Sequence, residues 1–145
     1  MESKVLLGSG EIPVPLIYVA GPYGDKGGYL AIERNIGLAR EGAAWITRNG
    51  MFFLCPHLNS AHFEAITPET TVEHWYGQDM RLMGAADAIL LVGKWKTSRG
   101  VTKELKKAKE AGIRAFNFNS PKDLEQLLKW RDKWIEERVS IGHKL

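Results

Sequence analysis

Short apolar runs alternate with amphipathic stretches along most of the chain. Four runs have the length and composition of strands, and the first three are continuous enough to be buried on both faces of a sheet. These runs cover residues 16–20 (LIYVA), 51–55 (MFFLC), 88–93 (AILLVG) and 113–118 (IRAFNF). The pattern therefore predicts four strands with room for a helix between successive ones.

The stretches between and after these runs predict helices. Apolar residues recur at helical spacing over residues 31–49, 71–86 and 101–111. Gly50 and Gly112 follow the first and third of these stretches, where glycine commonly ends a helix. A last helix is predicted from Ser120, because Ser120 suits the N-cap, Pro121 the first helical position and Asp123 the positive end of the dipole.

Strands that alternate with helices indicate parallel βαβ units. We predict one domain over residues 1–145, an α/β flavodoxin-like three-layer sandwich with a parallel sheet of four or five strands. Residues 1–15 form either an irregular arm or a short extra strand. Ligands of such sheets bind beyond the carboxyl ends of the strands, which nominates residues 21–29, 56–70 and 94–100 as the site.

Composition narrows the class of partner. Apolar residues make up 44% and charged residues 26%, as in ordinary globular domains, and the net charge of +3 comes without an arginine-rich run. We therefore expect a small-molecule ligand rather than nucleic acid. The single cysteine, Cys55, excludes an internal disulfide. No secretory signal or apolar run of about 20 residues is present, so we predict a cytoplasmic protein without a membrane span.

Two carboxylates occupy positions on apolar helical faces. Over residues 71–86, the residues at helical spacing are Val72, Trp75, Tyr76, Leu82, Met83 and Ala86. Asp79 takes the missing place on that face, and Glu104 takes a similar place between Val101 and Ala108 on the next helix. Carboxylates are seldom buried unless paired, because desolvation of their charge is costly. A position at the edge of the apolar face explains either carboxylate alone. Two carboxylates near one crevice at the strand ends favour a functional site instead.

Paired carboxylates have a known use at the anomeric carbon of a sugar. One attacks the carbon while the other handles protons, and a separation of about 5 Å suits a retaining course through a covalent intermediate. An N-terminal position in its helix also explains Glu104, because a carboxylate there complements the helix dipole.

Four segments together carry a family likeness. They are residues 18–23 (YVAGPY), 75–79 (WYGQD), 87–91 (DAILL) and the pattern W95-x-x-S98-x-G100-x-x-x-E104-x-x-x-A108. In this order and spacing they resemble the nucleoside 2-deoxyribosyltransferase-like family, which includes 2'-deoxynucleoside 5'-phosphate N-hydrolases. The likeness covers residues 17–118. It implies an enzyme that needs no cofactor, acts on a nucleoside or nucleotide and forms a homodimer or higher homo-oligomer.

The resemblance also implies roles for individual residues. Glu104 is similar to the family nucleophile, which forms a glycosyl ester with the anomeric carbon, and Asp79 to the carboxylate that handles protons. Tyr18 is similar to the tyrosine that orients the nucleophile. The loop of Gly21, Pro22 and Tyr23 is expected at the substrate, with Gly21 letting the backbone approach the ligand closely.

Ser98 and Gly100 are expected to contact the substrate ahead of Glu104. The transferases of the family resemble one another in carrying aspartate where this chain has Ser98, whereas the nucleotide N-hydrolases have serine. Serine, loop N–H groups and the following helix N-terminus suit a 5'-phosphate, and Lys94, Lys96 and Arg99 add positive charge.

Against this, the hydrolase-like members resemble one another in carrying an arginine for the phosphate near the place of Gly24. Lys26 could replace that arginine here, or the loop could equally serve a different ligand.

Other residues near the strand ends have weaker assignments. His57 and Asn59 follow the second strand and are candidates for base recognition, with loop solvation the alternative. Trp75 could stack on a base or pack in the core. His57, His62 and His74 match no common zinc spacing, so no metal is predicted.

The sequence thus predicts cleavage or transfer of the N-glycosidic bond of a (deoxy)nucleoside or its 5'-monophosphate through a covalent glycosyl-Glu104 intermediate. Hydrolysis of 5'-monophosphates is slightly favoured. The alternatives are a nucleoside 2-deoxyribosyltransferase acting on free nucleosides and a non-catalytic nucleotide-binding module on the same fold. Base preference and ribose against deoxyribose stay open at this level.

Overall fold

Four parallel strands form one sheet in the order β2-β1-β3-β4. In the computed structural model, which describes residues 12–24 and 27–144 and side chains as far as residue 140, the strands are β1 (Leu16–Ala20), β2 (Phe52–Leu54), β3 (Ala88–Leu91) and β4 (Arg114–Asn117). Ile17 of β1 lies opposite Phe53 of β2 and Ala88 of β3. The predicted parallel sheet is confirmed with four strands. An extra strand within residues 1–11 would lie outside the described residues.

Four long helices connect or follow the strands. They are α1 (Tyr29–Arg48), α4 (Val72–Met83), α5 (Arg99–Glu110) and α6 (Pro121–Lys144). Two short helices, α2 (Pro56–Asn59) and α3 (Phe63–Ile66), lie between β2 and α4, and a 3-10 turn over Trp95–Thr97 precedes α5. Gly50 and Gly112, which were predicted to follow helices, have φ of 72° and 75° and occupy turns just beyond α1 and α5.

The helices cover both faces of the sheet, because alternate strand residues point to opposite sides. Ile17 and Val19 belong to the core cluster that also contains residues of α1 and α6. Tyr18 and Ala20 belong to the cluster on the other face, with residues of α4 and α5. This arrangement confirms the α/β three-layer sandwich, and it puts the side chain of Tyr18 on the same face as α4 and α5.

The prediction that residues 51–55 are buried on both faces is wrong. Phe53 is 41% exposed, and its neighbours in β2 are only half-buried. The reason is topological, since β2 is an edge strand with β1 as its single described neighbour. The central strands β1 and β3 are buried almost throughout, as predicted.

The inward face predicted for residues 71–86 is correct only toward its C-terminal end. Met83 and Ala86 are buried against the sheet, whereas Val72 is 79% exposed. The first two-thirds of α4, with Val72, Trp75 and Asp79, borders a cavity instead of packing on the sheet. This part of the helix is therefore placed to present side chains to a ligand.

The strand order creates an opening beside β1. The chain runs from β1 through α1 to β2 on one side of β1, and then returns to β3 on the other side. The helical connections diverge at this point, and open α/β sheets bind ligands there. Within residues 12–24 and 27–144, no helix is long and apolar enough to cross a membrane.

Candidate functional site

A cavity of about 600 Å³ lies at the carboxyl ends of β1 and β3. It is lined by ten of the residues that the sequence nominated: Tyr18, Gly21, Pro22, Tyr23, His57, Trp75, Asp79, Ser98, Gly100 and Glu104. Asn59 is not brought to the site. It is the last residue of α2, exposed, and lines neither cavity, because residues 56–59 form a helical turn rather than the expected loop.

The two carboxylates face this cavity from neighbouring helices, Asp79 from α4 and Glu104 from α5. Burial raises the pKa of Asp79 to about 6. Burial also raises the pKa of Glu104 to about 7; the Tyr18 hydroxyl opposes this rise and the negative charge of Asp79 adds to it. The two carboxyls thus titrate as an interacting pair near neutral pH, which suits proton transfer.

Tyr18 reaches the same place from the centre of β1. Its side chain is fully buried, and its hydroxyl finds no hydrogen-bond partner of ordinary geometry among the described residues. Burial and the adjacent Glu104 carboxylate raise the pKa of Tyr18 well above its usual value, so the hydroxyl keeps its proton. An unsatisfied buried hydroxyl is costly. It is therefore available to donate to Glu104 or to a ligand in the cavity.

The buried carboxyl of Glu104 has a consequence for stability. Its pKa of about 7, against the usual 4.5, means that the folded protein binds this proton more tightly than the unfolded chain does. The free energy of unfolding therefore falls as pH rises from about 4.5 to about 7. Glu104→Gln, which stays neutral, is expected to be more stable than wild type by about 1–3 kcal/mol at pH 8, and by almost nothing near pH 4. Urea unfolding at both pH values measures this difference.

Glu110→Gln is the matched control, since Glu110 is exposed on the same helix and lines neither cavity. It should not reproduce the gain at pH 8. Equal stability of wild type and Glu104→Gln at pH 8 would show that Glu104 is not desolvated in the folded protein.

The loop after β1 forms one wall of the cavity and is held by packing and by hydrogen bonds. A Cβ at Gly21 would lie 2.7 Å from Val92 Cγ2 and 2.8 Å from the Val92 carbonyl oxygen. The structure therefore shows that glycine is required at this position because Val92 leaves no room for a side chain. His57 is buried and its Nε2 donates to the Pro22 carbonyl at 2.8 Å, while burial lowers its pKa. This ring nitrogen positions the loop rather than a base.

Residues of α1 also line the cavity, and sequence reasoning missed them. Arg34 and Asn35 lie near the start of α1, just after the loop, and Asn35 Nδ2 donates to the Tyr23 carbonyl at 3.0 Å. An exposed arginine on an amphipathic helix carries no distinguishing signal in sequence. Only the location of these residues in the chain could have indicated them, because the first turns of a helix that follows a strand lie beside the strand's carboxyl end.

Three of the side chains that line the cavity are basic. Lys94 and Arg99 line it together with Arg34, whereas Lys96 lies over the Trp95 ring and is not part of the wall. Lys26 lies outside the described residues. Ser98 caps α5 by accepting from the Val101 N–H at 3.2 Å, which leaves its hydroxyl proton free for a ligand. The first N–H groups of α5 have no partner inside the helix, so this end suits an anion.

A second cavity, of about 250 Å³, adjoins the first. Its walls share Tyr23, Pro56, His57, Trp75 and Asp79 with the larger cavity. Ser60, Phe63 and Glu64 line only the smaller one, which we call the aromatic lobe because Tyr23, Phe63 and Trp75 line it. Asp79 therefore lies at the junction between the basic cavity and the aromatic lobe.

Across the described ranges, no three His, Cys, Asp or Glu side chains converge as a metal ion would require. His62 pairs with Glu33 and lies 3.6 Å from Glu64, while His57 holds the loop after β1. These histidines thus have contacts within the protein that account for their positions.

Comparison with known proteins places the fold and the family. No curated protein matches the chain. A solved structure described as a 2-desoxiribosyltransferase from Leishmania mexicana is similar in fold, with 21% identity, a TM-score of 0.50 and coverage of 72% of this chain. The chain spans 63% of the length of that transferase. Residues 15–118 match a family described as a domain of unknown function, DUF7768. The protein therefore belongs to the DUF7768 family.

Proposed function

We propose that this protein cleaves the N-glycosidic bond of a nucleoside 5'-monophosphate, with Glu104 as nucleophile and Asp79 as general acid and base. The observation that carries the proposal is the convergence of Asp79, Glu104 and the buried Tyr18 hydroxyl on one cavity. The fold shared with a structure described as a 2-desoxiribosyltransferase supports glycosyl transfer as the chemistry.

The first step breaks the bond between the sugar and the base. The Glu104 carboxylate attacks the anomeric carbon and forms an ester, while the C–N bond electrons move to the base nitrogen. Asp79 in its protonated form gives that nitrogen its proton, for which a pKa of about 6 is suitable near neutral pH. Tyr18 donates to the carboxyl oxygen of Glu104 that does not attack, and so orients the nucleophile.

The second step releases the sugar. Asp79, now ionised, accepts a proton from water, and the oxygen of that water attacks the anomeric carbon. The ester bond breaks, its electrons return to Glu104 and the sugar leaves with its original anomeric configuration. A second base that entered before water would be glycosylated instead, which is the transferase alternative.

The basic side chains of the cavity support a 5'-phosphate on the substrate. Arg34, Lys94 and Arg99 line the cavity, and the Ser98 hydroxyl and the N-terminus of α5 add donors. A free nucleoside would leave these charges without a counterpart. The aromatic lobe supports a site for the base of the substrate, since a flat base stacks on aromatic rings. A nucleotide with its phosphate in the larger cavity and its base in the aromatic lobe would have its anomeric carbon beside Asp79, where the two cavities join.

The test is a chromatographic screen for released base. Purified protein is incubated with each common ribo- and deoxyribonucleoside and with each 5'-monophosphate, with and without a second free base. We expect base release from at least one 5'-monophosphate, with a kcat/KM at least about tenfold above that of the matching nucleoside, because the phosphate contacts are lost in the nucleoside.

Three other outcomes would change the assignment. A new nucleoside formed only when a second base is present would indicate a transferase. Faster cleavage of free nucleosides than of monophosphates would remove the phosphate from the proposal. Saturable nucleotide binding without base release over hours, at high protein concentration, would contradict catalysis and favour a binding module.

A further inference from the structure

The polar groups at the far end of the aromatic lobe are Ser60 and Glu64. These two residues and Phe63 line the lobe without lining the larger cavity, to which Glu104 belongs, and the part of the lobe that they line is its far end. A base whose glycosidic nitrogen lies at Asp79 would direct its opposite edge toward them. The hydrogen-bonding character of Ser60 and Glu64 then decides which edges are accepted.

Contacts within the protein use the donors at this end. The Tyr23 hydroxyl donates to the Glu64 carboxylate, at 2.9 and 3.0 Å from its two oxygens, and accepts from the His62 N–H at 2.7 Å. The Ser60 hydroxyl donates to the Pro56 carbonyl at 3.2 Å. Tyr23 and Ser60 therefore have no hydroxyl proton left for a ligand.

Acceptors remain at the same place. A carboxylate accepts only, and its two oxygens have about four acceptor sites, of which Tyr23 takes a part. The oxygen of Ser60 also keeps acceptor capacity. The indole N–H of Trp75 is a donor, but Trp75 lines both cavities and is not confined to this end. The far end thus offers lone pairs and negative charge.

Glu64 is held in place from several elements. Tyr23 contacts it from the loop after β1, and His62 Nδ1 lies 3.6 Å from it while His62 Nε2 contacts Glu33 of α1. The Tyr29 ring stacks on His62 with centroids 5.2 Å apart. A carboxylate positioned by partners on both sides loses little additional freedom when it binds a ligand, so it can discriminate between ligands.

We propose that Glu64 selects substrates whose base carries an exocyclic amino group on the edge away from the sugar. This inference rests on the proposed function and specifies its substrate class. An amino group donates to the carboxylate. A carbonyl oxygen at the same position is an acceptor facing another acceptor, so its lone pairs are repelled by those of the carboxylate. Ser60 adds a second acceptor for the same edge.

Two matched pairs of substrates test the selection. The 5'-monophosphates of 2'-deoxyadenosine and 2'-deoxyinosine differ by amino against oxo at one ring position and by a bare nitrogen against an N–H at the next, and those of 2'-deoxycytidine and 2'-deoxyuridine differ similarly. We expect kcat/KM to favour the amino member of each pair by at least about tenfold. A larger ratio is not expected, because the Glu64 side chain is 45% exposed and water can partly satisfy a mismatched edge. A ratio that favoured the oxo members would show that Glu64 accepts from the ring N–H instead, and would overturn the selection of the amino group.

Glu64→Gln isolates the residue. Glutamine keeps an oxygen that accepts from Tyr23, and its NH₂ group adds a donor, so the amino preference should fall below about threefold. Glu69→Gln is the control, because Glu69 is exposed and lines neither cavity. It should keep the wild-type ratio. A wild-type ratio near one, or a ratio that Glu64→Gln leaves unchanged, would overturn the selection by Glu64.

Failure of this inference is distinct from failure of the proposed function. If base is released equally from both members of each pair, the function stands and the selection fails. If no base is released from any compound, the four nucleotides are compared by calorimetric binding to the wild-type protein. Tighter binding of the amino members would then support the selection without catalysis, and equal affinities would overturn it.

Discussion

Glu104→Gln is expected to lower the rate of base release by at least about a thousandfold while nucleotide affinity and fold are retained. The amide of glutamine has the size of the carboxyl but is a far poorer nucleophile toward the anomeric carbon. Glu104 is largely buried beside Tyr18 and Asp79, so water cannot easily take over its position. Release of free base is measured by chromatography under single-turnover conditions, and affinity by calorimetry.

The same experiment can detect the ester directly. Wild-type protein quenched in acid during turnover should carry one sugar phosphate on the peptide that contains Glu104, and Glu104→Gln should not. Glu110→Gln, an exposed substitution on the same helix, should keep wild-type rates and the adduct. Turnover of Glu104→Gln at the wild-type rate, or an adduct on another peptide, would remove Glu104 as the nucleophile.

The meeting of Asp79 and Glu104 could be expected from the sequence because it follows from local spacing and from general topology. Glu104 lies three residues after Val101 and four before Ala108, both of which are buried against the sheet. A residue on that face near the start of the helix must point toward the carboxyl ends of the strands. Asp79 has the same relation to the buried Met83, and the helices of neighbouring βαβ units bring the two together.

The exposure of Phe53 and Val72 could not be predicted, because it depends on arrangement rather than on pattern. An apolar run such as residues 51–55 is equally compatible with a central and an edge strand, and strand order decides between them. Val72 continues the apolar face of α4, yet the sheet ends before it and a cavity takes its place. Local periodicity contains no information on where the sheet ends.

The same distinction separates the parts of the candidate site. The bond from His57 to Pro22 joins residues 35 apart in the chain, and the contact of Tyr23 with Glu64 joins residues 41 apart. Such pairs have no sequence signature. For Gly21, the structure shows a close approach to Val92 that the sequence did not indicate, while the predicted approach to a ligand stays a prediction.

Asp79→Asn is expected to reduce kcat/KM on ordinary substrates by about 10²–10⁴-fold, because asparagine cannot protonate the leaving base. The size of the loss should depend on the leaving group. A 7-methylguanine base carries a positive charge in the substrate and leaves without a proton, so 7-methyl-2'-deoxyguanosine 5'-monophosphate should release its base with a much smaller loss, within about tenfold. Parallel assays of the two kinds of substrate measure the difference.

The pH dependence gives an independent readout of the same role. In the wild type, Glu104 must be ionised and Asp79 protonated, and the pKa values of about 7 and 6 belong to an interacting pair. The pair holds one shared proton mainly between about pH 6 and 7. The higher pKa of Glu104 keeps that proton on Glu104 most of the time, and the fraction of molecules with the proton on Asp79 is the reactive one, so activity should peak in this range and fall on both sides. In Asp79→Asn the fall at high pH should disappear, because the ionisation that causes it is gone, while the fall at low pH remains. An equal loss on methylated and ordinary substrates, with the high-pH fall unchanged, would mean that Asp79 contributes to the cavity without handling the proton.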